Sequence, residues 1–152
     1  MQKIETLAFS PNPLHAKLLQ NLYFHKTQSF LSFCYHSTLI LPFNAGLGSS
    51  LWNICQDELL HIKTLGCAIS AVGDKPAFCD HTGRFINLKK LCENFTSQEI
   101  VYAGIEIKEN LVILEKTTLE KLSSPQIKNI VRSILKNDEC HLKILKNIDK
   151  KI

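Results

Sequence analysis

The sequence predicts an all-α fold, an antiparallel four-helix bundle with a long crossover between its second and third helices. Apolar residues recur at helical spacing through four long segments, while the alternating pattern of strands is negligible. Two of the connections between these segments are short, which makes the helices that they join antiparallel neighbours. The chain has 152 residues, enough for one domain with its own core, and we expect residues 1–152 to form that domain.

The first helix is expected over residues 13–40. Asn12 is its predicted N-cap, and Pro13 takes the first helical position, where the N–H that proline lacks would have no partner within the helix. Lys26 interrupts the apolar stripe of this helix. Residues 42–48 follow with an asparagine and two glycines, a composition typical of a short turn.

The second helix is expected over residues 49–72, and Gly73 supplies the left-handed conformation that ends it. Glu58 and His61 lie in the middle of its apolar stripe. Residues three apart are separated by about 60° around a helix, so this carboxylate and this imidazole can converge on one point. Residues 74–95 lack a sustained period and are expected to form the long crossover.

The third helix is expected over residues 97–122, where the local signals are the clearest in the chain. Thr96 and Glu99 have the spacing of a capping box, in which each side chain accepts a hydrogen bond from the backbone of the other. Phe95 and Ile100 have the spacing of a hydrophobic staple. These two motifs together predict the start of the helix.

The fourth helix is expected over residues 125–148, with Ser124 as its N-cap. Six polar side chains interrupt the apolar stripes near the middle of the four helices: Lys26, Glu58, His61, Lys108, Asp138 and His141. We expect packing of the bundle to bring all six to one depth in its core. Carboxylates and imidazoles are metal ligands, whereas the lysines bring positive charge.

The sequence resembles the ferritin-like superfamily of di-iron and di-manganese carboxylate proteins, and most closely its small bacterial members related to rubrerythrin and manganese catalase. The resemblance rests on Glu58-Leu59-Leu60-His61, on Asp138-Glu139-Cys140-His141, on segment 72–78, and on the helix order and loop lengths. In that family two helices each contribute Glu-x-x-His and the other two each contribute one glutamate, and together they hold two metal ions.

The resemblance implies a metal-ligand set with two departures. Its members are Glu58, His61, Asp138 and His141, while Lys26 and Lys108 stand in place of the other two glutamates. The two lysines balance the two carboxylates, so the site is neutral without a metal, and they would repel an added dication. Glu115 lies on the face of Lys108 but about 10 Å along the helix, too far to rescue the site. We therefore expect no cofactor at a degenerate di-metal site, and a structural or interaction role without catalysis.

Two other functions are left open. One is a metal-dependent oxidoreductase of the ferroxidase, peroxidase or catalase type, because the two carboxylates and two histidines suffice for one iron, manganese or zinc ion. By resemblance, iron or manganese is the metal expected if one is bound. The other is an amine reaction at the two buried lysines, such as Schiff-base formation, because desolvation lowers the pKa of a buried amine.

Composition argues against several other classes of protein. Apolar residues make up 45% and charged residues 21%, proportions of a globular rather than a disordered chain. The net charge of +4 comes mostly from scattered lysines, so we expect no nucleic acid partner. The apolar run 30–43 is too short to span a membrane, and residues 1–13 hold no signal-like run. The six cysteines form no Cys-x-x-Cys pair, so we expect a reduced, cytoplasmic protein, and the resemblance implies a homodimer.

Overall fold

The structure, a computed structural model, describes residues 11–80, 82–87, 89, 93 and 96–152. Within these residues the chain forms four helices: α1 over Pro13–Ile40, α2 over Ala45–Ala71, α3 over Ser97–Lys121 and α4 over Pro125–Asp149. Helices α1 and α2 pack as one hairpin and α3 and α4 as a second, and contacts of α1 with α3 and of α2 with α4 join the hairpins. The expected antiparallel four-helix bundle is confirmed, and the long crossover connects its two hairpins.

The helix starts are capped by the side chains that the sequence identified. Asn12 Oδ1 accepts a hydrogen bond from the backbone N–H of His15 at 3.1 Å. The capping box is complete, because Thr96 Oγ1 accepts from the Glu99 N–H at 3.2 Å and Glu99 Oε2 accepts from the Thr96 N–H at 2.9 Å. Each bond satisfies a backbone donor that the first helical turn leaves open. The predicted staple involves Phe95, which lies outside the described residues.

Helix α2 begins at Ala45 and not at residue 49, so its predicted start is wrong. Asn44 is its N-cap, and the Asn44 side chain accepts a hydrogen bond from a backbone N–H of the first turn at 3.0 Å. Gly48 therefore lies within the helix and not in the connection. Its role is packing, because a Cβ at Gly48 would lie 2.7 Å from the Cα of Leu41, where the end of α1 passes.

The other predicted helix ends agree with the structure to within one residue. Gly73 has a φ of 88°, the left-handed conformation expected after α2. Ser124 Oγ accepts a hydrogen bond from the Ile127 N–H at 3.4 Å at the start of α4. Among the residues that the structure describes, no helix has the length and the apolar content that crossing a membrane requires.

Two apolar clusters fill the core on either side of its middle. The first is built around Leu19, Leu22, Leu65, Ile69 and Val131. The second is built around Phe33, Leu51, Ile54, Val101 and Leu145. On each helix the predicted polar positions fall between the members of one cluster and the members of the other. The six polar residues therefore form a layer that divides the core.

Gly48→Ala is expected to destabilise the protein by about 1–3 kcal/mol, because the added methyl group meets the backbone of Leu41, which cannot rotate aside. Gly46→Ala is the matched control in the same turn. Its Cβ would have Asn44 Oδ1 as nearest neighbour at 3.7 Å, so the helix propensity of alanine should stabilise the protein by up to about 1 kcal/mol. Urea denaturation followed by circular dichroism measures both. A Gly48→Ala variant as stable as the wild type would contradict this close approach of α1 and α2.

Candidate functional site

The polar layer brings together all six residues singled out in the sequence. Helix α1 supplies Lys26, α2 supplies Glu58 and His61, α3 supplies Lys108, and α4 supplies Asp138 and His141. Each is buried, with between 0% and 7% of its surface exposed. The four charged residues Lys26, Glu58, Lys108 and Asp138, all at 0% exposure, are called the lysine–carboxylate cluster below.

The two ammonium groups of the cluster lie between the same two carboxylates. Lys108 Nζ donates to Glu58 Oε1 at 2.6 Å and to Asp138 Oδ1 at 2.8 Å. Lys26 Nζ donates to Glu58 Oε1 at 3.1 Å and to the other oxygen of Asp138, Oδ2. Each carboxylate therefore bridges the two cations. Hydrogen bonds between charged groups are stronger than neutral ones, which favours this closed arrangement.

The two histidines lie beside the carboxylates three residues before them, as their spacing predicted. His61 Nδ1 is 3.1 Å from Glu58 Oε1 and 3.2 Å from Lys26 Nζ. His141 Nδ1 is 3.4 Å from Asp138 Oδ1. The two imidazole rings have centroids 6.4 Å apart, so they flank the cluster without stacking on each other.

Asp57 joins the site through His141, a contact that sequence reasoning missed. Its Oδ2 lies 2.8 Å from His141 Nε2. The Asp57 side chain is 47% exposed, and adjacent helical residues point about 100° apart, so Asp57 does not share the inward face of Glu58. The contact forms because α4 packs against α2 with His141 next to Asp57.

Glu115 also belongs to the site, and the expectation that it lies too far away is wrong. It is fully buried on α3, and its Oε1 lies 3.2 Å from Lys26 Nζ. The distance of about 10 Å applies to Lys108, which lies on the same helix as Glu115. The long side chain of Lys26 instead reaches it from α1. The available signal was an acidic residue within the apolar stripe of α3.

Opposite charges dominate the ionisation of the cluster. Burial raises the pKa of Glu58, but the charges of Lys108 and Lys26 outweigh it and lower this pKa to about 2. Burial likewise raises the pKa of Asp138, and its contact with His141 together with the two lysine charges holds this pKa well below its usual range. Both carboxylates are therefore ionised at neutral pH.

Lys26 keeps its charge for the same reason. Desolvation lowers the pKa of its amine, but the negative charges of Glu58, Asp138 and Glu115 more than compensate and raise it above its ordinary value. A Schiff-base lysine needs a shift in the opposite direction. The negative charges around Lys26 therefore argue against amine chemistry at this residue.

Glu115 is the exception among the buried acids. Burial raises its pKa to about 9, and this rise is opposed by the charge of Lys26 and reinforced by the neighbouring carboxylate of Asp138. It is consequently protonated at neutral pH. With Glu115 neutral, two ammonium groups face two carboxylates, and the cluster carries no net charge.

The polar layer also contains residues that could hold a metal ion. Among the described residues Glu58, Asp138 and His141 each offer a ligand atom, and these atoms lie within 4.8 Å of one another. Two ammonium groups already bind the same carboxylates, at 2.6 Å and 3.1 Å from Glu58 Oε1. The carboxylates thus accommodate the two lysine ammonium groups, and they do not accommodate a pair of metal ions as well while the lysines stay charged.

Glu115→Gln is expected to remove part of the pH dependence of stability. Between its unfolded pKa near 4.5 and its folded pKa of about 9, the folded protein holds a proton that the unfolded chain has lost. The free energy of unfolding of the wild type therefore falls as pH rises, by up to about 1.4 kcal/mol per pH unit. Glutamine keeps the neutral form, so the stability of the variant relative to the wild type should grow from pH 6 to pH 9.

Urea denaturation across this pH range, in buffer that contains a chelator, measures the difference. Glu109→Gln is the matched control, because Glu109 lies on α3 with its side chain 48% exposed and pairs with Lys146 at 2.7 Å. The control should keep the slope of the wild type. The assignment of Glu115 as a neutral acid is wrong if Glu115→Gln keeps that slope too.

The sequence matches no protein-family model and no curated protein. Solved structures match it by fold. A bacterioferritin from Rhodobacter capsulatus, described with a metal-free dinuclear site and haem iron, aligns with a TM-score of 0.81 at 12% sequence identity, over 93% of this chain and 87% of its own. KatB, a manganese catalase from Anabaena, aligns with a TM-score of 0.82 at 18% identity, over 93% of this chain and 74% of its own. The protein therefore has the ferritin-like fold.

Proposed function

We propose that this protein is a ferritin-like bundle with a degenerate di-metal site, in which two lysine ammonium groups take the place of two metal cations. One observation carries the proposal: the Nζ atoms of Lys26 and Lys108 each contact both Glu58 and Asp138. In ferritin-like carboxylate proteins, acids from all four helices hold the metal ions. Here α1 and α3 carry Lys26 and Lys108 at the positions that correspond to two of those acids.

Charge balance supports this reading. The carboxylates of Glu58 and Asp138 are already neutralised by the two lysines. Two unit charges 4 Å apart interact by roughly 4 kcal/mol at an effective dielectric constant of 20, so a dication beside one ammonium group would be opposed by roughly twice that. The raised pKa of Lys26 makes loss of its proton an unfavourable escape from this repulsion.

The role that follows is structural or interactive and not catalytic. A buried ionic cluster contributes less to net stability than to the choice of one arrangement of the helices. Large apolar side chains remain on the surface of α2, with Trp52 at 44% and Leu59 at 53% exposure, about two turns apart on the same side. Aromatic side chains such as Trp52 are enriched at protein interfaces.

A homodimer in a reducing cytoplasm is the assembly that we propose for this role. Analytical ultracentrifugation at micromolar concentration tests it, and Trp52→Ser should shift the distribution toward the monomer. Sedimentation of the wild type as a monomer at every concentration would contradict the homodimer. That result would leave the degenerate site unaffected, because the cluster lies within one chain.

The double variant Lys26→Glu, Lys108→Glu is expected to bind iron or manganese in near-stoichiometric amounts, because it supplies the two acids that the family pattern has at these positions. The wild type is expected to bind neither metal at that level. Mass spectrometry with an inductively coupled plasma, on protein from medium rich in both metals, measures the content. Lys116→Glu with Lys146→Glu is the matched control, since it changes the net charge equally at exposed positions of α3 and α4.

Two results would count against the proposal. Near-stoichiometric metal in the wild type would overturn the degenerate site. Unchanged metal content in the folded double variant, verified by circular dichroism, would overturn the correspondence of Lys26 and Lys108 with the two missing glutamates.

A metal-dependent oxidoreductase of the ferroxidase, peroxidase or catalase type is the alternative, with iron or manganese as its metal. It is favoured by the spacing of Glu58, Asp138 and His141 and by a groove of about 720 Å³ between α2 and α4 that reaches the edge of His61. A peroxide-dismutation or ferroxidase rate that depends on added metal and is lost in His61→Ala would support the alternative. If neither rate responds to added metal, the alternative is wrong and the structural role stands.

A further inference from the structure

The interface of α1 and α2 carries a pair of cysteines outside the lysine–carboxylate cluster. Cys55 on α2 is 1% exposed, and its Sγ lies 3.9 Å from the backbone oxygen of Phe30, to which it donates. The side chain of Cys34 on α1 is close enough to this thiol to affect its ionisation. Cys34 is only partly buried. Two thiols from neighbouring helices thus lie near each other, and one of them is on a partly exposed residue.

The register of the hairpin places these two residues opposite each other. Gly48 on α2 lies against Leu41 on α1 near the connection, where a Cβ would come within 2.7 Å of the Leu41 backbone. Cys34 precedes Leu41, and Cys55 follows Gly48, each by about two helical turns. Gly66 and Tyr23 continue this register further along the hairpin, with a Cβ on Gly66 at 3.5 Å from the Tyr23 ring. The cysteines therefore occupy facing positions of two antiparallel helices.

We propose that Cys34 and Cys55 form a redox-active dithiol that a hydroperoxide converts into an intramolecular disulfide between α1 and α2. In the first step the sulfur of Cys34, as its thiolate, attacks a peroxide oxygen. The O–O bond breaks, the departing oxygen takes a proton and leaves as water or an alcohol, and Cys34 becomes a sulfenic acid. In the second step the sulfur of Cys55 attacks the sulfur of Cys34, and water leaves with the Cys55 proton.

The two cysteine thiols and the hydroperoxide account for all the electrons of this reaction. Two electrons pass from the two thiols to the peroxide, which is reduced to water or alcohol. A small-molecule thiol returns the disulfide to the dithiol by exchange. No metal is needed, so the inference stands apart from the degenerate site.

The different surroundings of the two cysteines assign their order of reaction. Cys34 is the member that a peroxide can reach. Burial raises the pKa of the Cys55 thiol to about 12, with further contributions from its contact with Cys34 and from the charge of Glu58, so Cys55 stays protonated until its neighbour is oxidised. Cys55 then acts as the resolving thiol, because the packing that shields it from solvent also holds it next to Cys34.

Peptide mapping of the wild-type chain tests the proposal. Trypsin cuts after Lys26 and Lys63, and peptide 27–63 contains Cys34 and Cys55 as its only cysteines. After mild treatment with hydrogen peroxide, we expect this peptide to be about 2 Da lighter than its reduced form and to resist iodoacetamide until a reductant is added. Cleavage at Tyr35 and Trp52 by chymotrypsin should then give two peptides joined by a disulfide.

Variants separate this site from general oxidation. In Cys55→Ser the resolving thiol is missing, so dimedone should trap a sulfenic acid on Cys34. In Cys34→Ser the thiol of Cys55 should remain reduced under the same treatment. Cys67→Ser with Cys140→Ser is the matched control, because these two cysteines are exposed, and it should leave formation of the bridge unchanged.

The proposal is overturned if peroxide modifies the exposed cysteines while peptide 27–63 keeps two thiols that iodoacetamide labels. It is also overturned if the disulfides of this peptide join it to other peptides or other chains. Because the first measurement uses the wild type, neither result depends on the folding of a variant.

Discussion

Two positive and two negative side chains share the centre of this bundle, and the arrangement of the helices depends on their compensating one another. Removing one such ion from water costs several kcal/mol even after the protein relaxes, so four of them are tolerated at 0% exposure only where all of them meet. Each helix supplies one charge: Lys26, Glu58, Lys108 and Asp138. Sliding any helix by a turn would leave a buried charge unpaired, so the cluster selects one register of the four helices.

The fold of this protein and the chemistry of its middle layer depend on different residues. TM-scores of 0.81 and 0.82 at 12% and 18% identity show that the fold persists while most side chains differ. The apolar clusters on either side of the middle layer account for that persistence, because they need only apolar residues of suitable size. The chemistry of such a fold depends on a few residues, and in this chain Lys26 and Lys108 lie in the middle layer beside its carboxylates.

The α1–α2 hairpin carries both the cysteine pair and two of the four charged residues of the cluster. Its close approach begins at Gly48, continues at Cys34 and Cys55, and reaches Glu58 and Lys26 in the next turns. Burial at the interface of α1 and α2 raises the pKa of the Cys55 thiol. In the cluster, burial leaves the charged groups with one another, rather than water, as partners. The raised pKa of Cys55 and the pairing of charges in the cluster have the same cause, the desolvation of polar groups between closely packed helices.

The sequence by itself determined four helices, most of their ends and the six polar positions of the middle layer, because helical periodicity and capping depend on residues a few positions apart. Only the tertiary structure decided the early start of α2, the inclusion of Glu115 and the contact of Asp57 with His141. It also decided that Cys34 faces Cys55. Each of these depends on how closely two helices approach and how far a side chain reaches between them, and neither quantity is encoded in the spacing of residues along one helix.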